Sequence, residues 1–241
     1  MKGYFSRFKS AVVALSGGAD SSFTLYLASR YIESKKIVAV TATNSHVFRY
    51  EINQARYIAE RLNVRWIGFE AQMDINFFKN DENRCYYCKK SFLEEIKKIK
   101  EELGYEVIFD GSNIDDLSEV RPGRRAIEEY GVISPLIDLS LGKNDVLKGL
   151  NDSPLKDLYF TTESCKATRL VNIPIDNDIM QKIEDMEDIL RQKIPGLRIR
   201  YNGKNFYYEI KKPHIISEDQ FRLVEDLLGG YGIEPPPKYS D

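Results

Sequence analysis

Apolar and polar residues follow two different periods along the first half of the chain. Short apolar runs predict buried strands at residues 11–15, 37–41, 64–69 and 107–109. Apolar positions three or four apart predict amphipathic helices at residues 21–34, 51–63 and 89–103. Strands that alternate with helices in this way predict an α/β fold, a doubly wound parallel sheet with helices on both faces.

The remainder of the chain is more mixed. The pattern predicts a short helix that ends at Tyr130, a helix at residues 143–150 and a strand at residues 158–160. Beyond these it predicts helices at residues 177–193 and 217–228, and strands at residues 197–201 and 206–210. The last two strands are joined by Asn202-Gly203, a dipeptide typical of hairpins. We therefore predict an α/β domain at residues 1–172 and a small α+β domain at residues 173–241.

The stretch from Ser16 to Ser22 joins the first predicted strand to the first predicted helix. Gly17 and Gly18 allow a tight turn with open backbone N–H groups, and Asp20 falls in the first helical turn. Free amides and the helix dipole favour phosphate at such a position. A Gly-Gly turn before a helix is also common as plain structure, so the spacing alone leaves both interpretations open.

Loops at the carboxyl ends of parallel strands share one edge of the sheet, where ligands bind. The segments Thr41–Ser45 and Asp110–Asp116 follow the second and fourth predicted strands, so we expect both at the same edge as the first loop. Arg121, Arg124 and Arg125 flank a Pro-Gly turn and offer planar donors for phosphate or carboxylate. Surface solubility would explain three arginines equally well.

Composition narrows the class of protein. The 241 residues are 42% hydrophobic and 30% charged, with a net charge of −2, as in ordinary globular domains. This charge gives no overall attraction to nucleic acid. No apolar run is long enough to cross a bilayer, and residues 1–10 lack the apolar core of a signal peptide. We therefore expect a cytoplasmic protein with no membrane partner.

Three cysteines are an odd number, which disfavours a disulfide framework in a reducing compartment. Cys85 and Cys88 have a spacing that lets two thiolates face one ion, and Cys165 can return to the same crevice. Three thiolates would hold a [4Fe–4S] cluster with one iron open. A zinc ion would take a fourth ligand from His46, His214, a carboxylate or water. A redox pair and buried free thiols are the remaining interpretations.

Several motifs then point to known families. The sequence SGGADSS at residues 16–22 resembles the SGGxDS signature of the PP-loop ATP pyrophosphatases. Further matches lie at residues 84–89 (RCYYCK), 110–116 (DGSNIDD), 121–123 (RPG), 134–136 (SPL) and 165–169 (CKATR). Together, in this order and over about residues 11–170, they resemble the LarE-type sulfur transferases.

This resemblance implies roles for individual residues. The groups that would hold ATP phosphates and Mg²⁺ are Ser16, Gly17, Gly18, Asp20, Ser21 and Ser22. Thr43 and Ser45 would lie near the adenosine, with Gly111 and its neighbours on the opposite side. A negatively charged substrate would meet Arg121, Arg124, Arg125, Arg198 and Arg200. The resemblance gives Asp20 and Cys165 the catalytic roles.

The resemblance also implies a reaction. A substrate oxygen attacks the α-phosphorus of ATP, pyrophosphate leaves, and a sulfur nucleophile then displaces AMP. In the LarE proteins this converts a carboxylate on a pyridinium nucleotide into a thiocarboxylate. One LarE type sacrifices the cysteine that matches Cys165, whereas the other has three cysteines and a [4Fe–4S] cluster. Because Cys85, Cys88 and Cys165 are all present, the resemblance favours the cluster type. The residues after Cys165, Lys166-Ala167-Thr168, depart from the more usual Leu-Ala-Ser, which leaves the substrate open.

Other functions compete with this one. Related PP-loop proteins thiolate tRNA, but the near-neutral charge and the lack of a recognisable RNA-binding module disfavour tRNA as a partner. A non-catalytic ATP-binding sensor is the hypothesis from another class. The partners that we expect are a small-molecule substrate and a sulfide donor, together with self-association through the small domain.

Overall fold

The computed structural model describes residues 1–118, 122–160, 165–191, 193–194, 196–210 and 217–229. The chain divides into two compact units. The first comprises Met1–Phe77 and Glu82–Glu163, and the second comprises Phe78–Asp81 and Ser164–Asp241. Cys85 and Cys88 therefore belong to the first unit and Cys165 to the second.

A four-stranded parallel sheet forms the centre of the first unit. Its strands are β1 (Ala11–Ala14), β2 (Ile37–Ala42), β3 (Arg65–Phe69) and β4 (Val107–Phe109), in the spatial order β3-β2-β1-β4. Each neighbouring pair is parallel, and a bridge from Phe109 to Ile133 extends the sheet beyond β4. This confirms the predicted α/β class. The strand order reverses between β1 and β4, and ligands of open α/β sheets bind at such a point.

Helices cover both faces of this sheet. They are α1 (Lys2–Phe5), α2 (Ala19–Tyr31), α3 (Arg49–Arg61), α4 (Arg84–Glu102), α5 (Pro122–Glu129), α6 (Pro135–Asp138) and α7 (Lys143–Asn151). Alternate strand residues point to opposite layers. Ala11 and Val13 pack into the core that contains Phe23 of α2, whereas Val12 packs with Leu93 of α4. This alternation is the reason that the strands read as continuous apolar runs.

The second unit is a small α+β assembly. It contains α8 (Asn177–Arg191), β5 (Leu197–Tyr201), β6 (Phe206–Ile210) and α9 (Glu218–Gly229). The two strands are antiparallel, with Ile199 opposite Tyr208. The turn between them needs a left-handed residue, and Gly203 supplies it with φ of 89°. The predicted hairpin is confirmed.

Two local predictions differ from the structure, and two short helices were not predicted. Residues 158–160 are not a strand: Leu158 closes a turn onto Leu155, and Gln54 donates its amide to the Tyr159 carbonyl. Leu158 and Phe160 are apolar because they pack against the core. Helix α4 begins at Arg84 rather than at Lys89. The short helices α1 and α6 are too brief to give a periodic pattern.

Among the described helices, none combines the length and the apolar character that a membrane span requires.

Candidate functional site

The loop between β1 and α2 is held open by its glycines. Gly17 has φ of 85°, a conformation that favours glycine, and a Cβ there would lie 2.6 Å from the Glu51 carbonyl of α3. Gln54 of α3 donates its amide to the Gly17 carbonyl at 2.9 Å. Helix α3 therefore holds the loop in place at Gly17. Gly18 is the N-cap of α2, in extended conformation, so the first turn of the helix, whose N–H groups have no partner within the helix, begins directly after it.

The serines of this loop bind one another and the backbone. The Ser16 and Ser21 hydroxyls are 3.0 Å apart, and the Gly18 amide lies 3.3 Å from Ser16 Oγ. Ser22 is fully buried and donates to the Gly18 carbonyl at 2.6 Å. Ser16 is exposed and Asp20 is half-buried. The structure thus leaves Ser16 and Asp20 at the surface of the loop, whereas Ser22 supports it from below.

The loop after β4 lies against the first turn of α2. A Cβ on Gly111 would lie 2.5 Å from the backbone nitrogen of Ser21, so only glycine fits without movement. The preceding Asp110 is 3% exposed and accepts hydrogen bonds from the hydroxyls of Ser112 and Ser134, at 2.6 and 2.7 Å. These contacts bring the β1 and β4 loops together at the strand-order reversal.

Asn113 is a buried amide in the same loop. It is 0% exposed, and its oxygen accepts the Asp115 amide at 2.9 Å. Its nitrogen Nδ2 has no hydrogen-bond partner among the described residues. Asp115 in turn accepts the Lys143 amide at 2.7 Å and so caps α7. Two residues of the DGSNIDD motif therefore differ in role. Asp115 caps helix α7, whereas the Nδ2 of Asn113 has no hydrogen-bond partner among the described residues.

The segment after β2 supplies the next part of the same edge. Thr43 binds the Phe69 carbonyl through both its amide, at 2.7 Å, and its hydroxyl, at 3.0 Å. Asn44 is 5% exposed and exchanges two hydrogen bonds with the backbone of Ala71. Ser45 is exposed. Of the two residues expected near adenosine, Thr43 is bound to β3 and Ser45 faces solvent.

His46 carries the contact that the sequence did not reveal. It is 1% exposed, and its Nε2 lies 3.3 Å from the sulfur of Cys88. Its ring lies between Phe77, with centroids 4.6 Å apart, and Phe92, with centroids 5.4 Å apart. Since His46 follows β2, this contact places the first turn of α4 at the carboxyl edge of the sheet. The sequence offered His46 only as one of several possible fourth ligands of a zinc ion, and it did not indicate a contact with Cys88.

Cys85 and Cys88 both lie in the first turn of α4, three residues apart and therefore on one side of the helix. Cys85 is exposed and Cys88 is half-buried. Helix α5 begins beside them, because a Cβ on Gly123 would lie 3.4 Å from the Cys85 carbonyl. The first unit therefore brings two thiols and one imidazole to the edge that also holds the β1 loop.

The arginines of α5 are exposed. Arg124 pairs with Glu128 at 3.1 Å, and Arg125 pairs with Glu129 at 2.7 Å. Arg125 also lies over the Tyr86 ring, 4.5 Å from its centroid. The hydrogen bond from Arg125 lowers the pKa of Glu129. Arg124 and Arg125 thus each pair with a glutamate of their own helix, and Arg125 lies beside Tyr86, the residue that follows Cys85.

Arg121 and His214 lie outside the residues that the structure describes.

Cys165 begins a tight turn in the second unit. It precedes a 3-10 helix, Lys166–Arg169, and its carbonyl accepts the amide and the hydroxyl of Thr168, at 3.0 and 2.7 Å. Lys166 is 2% exposed and bonds Glu184 at 2.7 Å. Lys166, which departs from the family pattern, therefore points into the unit.

A second buried ion pair holds the end of this turn. Arg169 is 0% exposed and bonds both carboxylate oxygens of Glu187, at 2.7 and 3.1 Å. Glu187 also accepts the Ile199 amide at 2.9 Å. A buried charge is tolerated when it is paired in this way. These pairs fix the turn to α8 and β5, and neither was visible in the sequence.

Arg198 and Arg200 lie on the same face of β5, because Leu197 and Ile199 take the buried face. Arg200 donates to the Thr168 carbonyl at 2.7 Å, and also bonds Glu209. The structure therefore brings Arg200 to the turn that follows Cys165.

The donor set fits an iron–sulfur cluster or zinc in chemistry, since thiolate and imidazole suit both. Among the described residues, no three histidine, cysteine or acidic side chains come together as a ready metal site. The first unit offers two thiols, Cys85 and Cys88, in one helical turn, and His46 Nε2 lies 3.3 Å from the sulfur of Cys88. A third thiol belongs to the second unit.

Comparisons with known proteins agree with the fold. Residues 4–98 match the family model of NAD synthase. The chain is 37% identical to an uncharacterized protein of Methanocaldococcus jannaschii over 200 residues, which are 80% of this chain and 74% of that protein. It is 29% identical to an uncharacterized protein of Synechocystis, over 84% of this chain and 74% of that protein. It is also 26% identical to pyridinium-3,5-bisthiocarboxylic acid mononucleotide synthase of Lactiplantibacillus plantarum, over 91% of this chain and 86% of that protein. The chain therefore belongs to the same family as the Methanocaldococcus protein, and its first unit has the α/β PP-loop fold.

Proposed function

We propose that this protein is an ATP-dependent sulfur transferase. In this reaction a carboxylate of a small molecule becomes adenylylated, and sulfur then replaces the activated oxygen. The observation that carries the proposal is that the thiols of α4 and the β1 loop lie at one edge of one sheet, an arrangement anchored by the His46–Cys88 contact. The product named for the Lactiplantibacillus relative is a thiocarboxylic acid, which supports a carboxylate as the acceptor.

The β1 loop would bind the phosphates of ATP. The N–H groups in the first turn of α2 and the dipole of that helix would stabilise negative charge, and Asp20 would hold Mg²⁺. The acceptor carboxylate attacks the α-phosphorus, the bond to the β-phosphate breaks, and pyrophosphate leaves. Asn113 Nδ2 offers a further donor in the adjoining loop. The result is an acyl adenylate whose AMP is a good leaving group.

The second half of the reaction needs sulfur. Cys85, Cys88 and Cys165 would hold a [4Fe–4S] cluster, and that group would supply sulfide to the reaction. A sulfur nucleophile that attacks the acyl carbon expels AMP with the activated oxygen and leaves a thiocarboxylate. Arg198, Arg200 and the arginines of α5 are the groups proposed to bind the anionic acceptor.

The test uses protein reconstituted anaerobically with iron and sulfide, then given MgATP, excess sulfide and a pyridinium mononucleotide carboxylate. We expect one AMP and one pyrophosphate for each oxygen replaced by sulfur, measured by chromatography and mass spectrometry. AMP and pyrophosphate without sulfur in the product would contradict sulfur transfer. ATP binding with no AMP formed under any acceptor would favour the sensor, and tight, salt-sensitive tRNA binding would favour tRNA thiolation.

Two matched variants separate the sources of sulfur. Cys85→Ser and Cys165→Ser both stop repeated turnover if a cluster supplies the sulfur. If Cys165 gives up its own sulfur, Cys85→Ser keeps one turnover and the mass of wild-type Cys165 falls by the loss of H₂S. Intact Cys165 after several turnovers would exclude the sacrificial route.

A further inference from the structure

His46 is held rigidly at the edge of the sheet. Asn44, two residues before it, exchanges hydrogen bonds with Ala71 at 2.8 and 3.1 Å, and its carbonyl accepts the Val47 amide at 2.9 Å. The ring of His46 is nearly parallel to that of Phe92, at 14°. The imidazole therefore has few other positions to adopt, and its contact with Cys88 is a feature of the fold.

The contact can have only one direction when Cys88 binds a metal. A metal-bound thiolate carries no hydrogen, so the sulfur must be the acceptor and His46 Nε2 the donor. Hydrogen bonds to ligating sulfur stabilise the more negative, reduced form of an iron–sulfur cluster and raise its reduction potential. They also fix the direction of the sulfur lone pairs.

The two cysteines of α4 thereby differ. Cys88 is half-buried beside an imidazole that is 1% exposed, whereas Cys85 is exposed. Phe77 and Phe92 line the His46 side with apolar surface, which strengthens a hydrogen bond to charge by excluding water. Solvent reaches Cys85 directly.

We propose that His46 is a positioning residue that donates its Nε2 hydrogen to the Cys88 sulfur, orients that thiolate as a cluster ligand and raises the reduction potential of the cluster. The proposal rests on the cluster of the proposed function, and it assigns to His46 the place of a donor to sulfur rather than of an iron ligand. His46 thus acts through Cys88 and does not touch the acceptor.

Two variants distinguish a hydrogen-bond donor from an aromatic filler or a metal ligand. His46→Phe keeps a ring between Phe77 and Phe92 but removes the N–H. His46→Gln keeps an N–H at a similar reach but offers no imidazole to iron. Circular dichroism checks each fold, and His46→Leu serves as the second variant without a donor if His46→Phe does not fold.

The measurement is a redox titration of the anaerobically reconstituted cluster, in which electron paramagnetic resonance detects the reduced form and gives the reduction potential. We expect His46→Phe to be harder to reduce by about tenfold in equilibrium constant, about 59 mV for one electron, and His46→Gln to stay near wild type. A potential unchanged in His46→Phe would overturn the proposal. So would His46→Gln behaving like His46→Phe, because the imidazole itself would then be required.

A second experiment tests the role of His46 even if no cluster forms. If wild-type protein takes up no iron and sulfide, the cluster of the proposed function fails, and cobalt(II) alone then probes the thiols through its thiolate absorption. We expect His46→Phe to bind cobalt(II) about tenfold more weakly, with His46→Gln near wild type. Equal affinity in wild type and His46→Phe, or equal loss in both variants, would overturn the role of His46.

Discussion

Gly111→Ala is the sharpest test of how the two loops of the candidate ATP site are joined. The added Cβ would lie 2.5 Å from Ser21 N and 2.7 Å from Ser21 Cα, both backbone atoms at the start of α2. Non-bonded carbon atoms sit about 3.5–4 Å apart, so the loop and the helix must separate by roughly 1 Å. We expect a loss of stability of about 1–3 kcal/mol, as in other overpacked sites.

The same movement would displace Asp20 and the N–H groups that are proposed to hold phosphate. A shift of about 1 Å near reacting groups can cost roughly 100-fold in rate. We therefore expect pyrophosphate release to fall on the order of 100-fold, measured at a temperature where urea melts show the variant folded. Gly123→Ala is the control, since its Cβ would lie an ordinary 3.4 Å from the Cys85 carbonyl. A Gly111→Ala protein with wild-type stability and rate would show that the close approach of Gly111 to Ser21 does not position the loop.

Three further substitutions test the proposed metal-binding carboxylate, a buried ion pair and the turn after Cys165. Asp20→Asn should lower pyrophosphate release by roughly 100-fold or more with little change in melting temperature, because the metal loses a carboxylate; an unchanged rate would remove Asp20 from the site. Lys166→Met removes the buried ion pair with Glu184 and should cost about 3–5 kcal/mol in a urea melt, whereas Arg56→Met, on an exposed pair, should cost less than about 1 kcal/mol. Arg200→Met removes the bond to the Thr168 carbonyl and should speed amide exchange in residues 166–169 by roughly tenfold, measured by mass spectrometry; unchanged exchange would show that Arg200 does not hold the turn.

Strands β1 and β2 could be predicted from the sequence because they are buried on both faces. Val12 and Val13 pack into opposite layers, so apolar residues run without interruption and mark the strand. The hairpin at Asn202-Gly203 was readable for a local reason, the left-handed turn at Gly203. The start of α4 was missed although Asn83, a residue type that often begins helices, stands just before it.

The chemistry of the site was only partly readable. The loop between β1 and α2 carries a local motif that resembles a known signature, whereas His46 and Cys88 are 42 positions apart and meet only because β2 and α4 are folded together. The same holds for Lys166 and Glu184, which are 18 positions apart and form a buried hydrogen-bonded ion pair that the sequence did not indicate. Side-chain pairs made by tertiary packing leave no period in a single sequence.

We propose that one edge of this sheet couples ATP cleavage to sulfur transfer. The most direct measurement is the ratio of AMP to sulfur incorporated into a pyridinium mononucleotide carboxylate by the anaerobically reconstituted protein. We expect one AMP for each sulfur, and loss of sulfur incorporation in Cys88→Ser while adenylylation continues. Sulfur incorporation that survives in Cys88→Ser, or AMP released with no sulfur in the wild-type product, would contradict it.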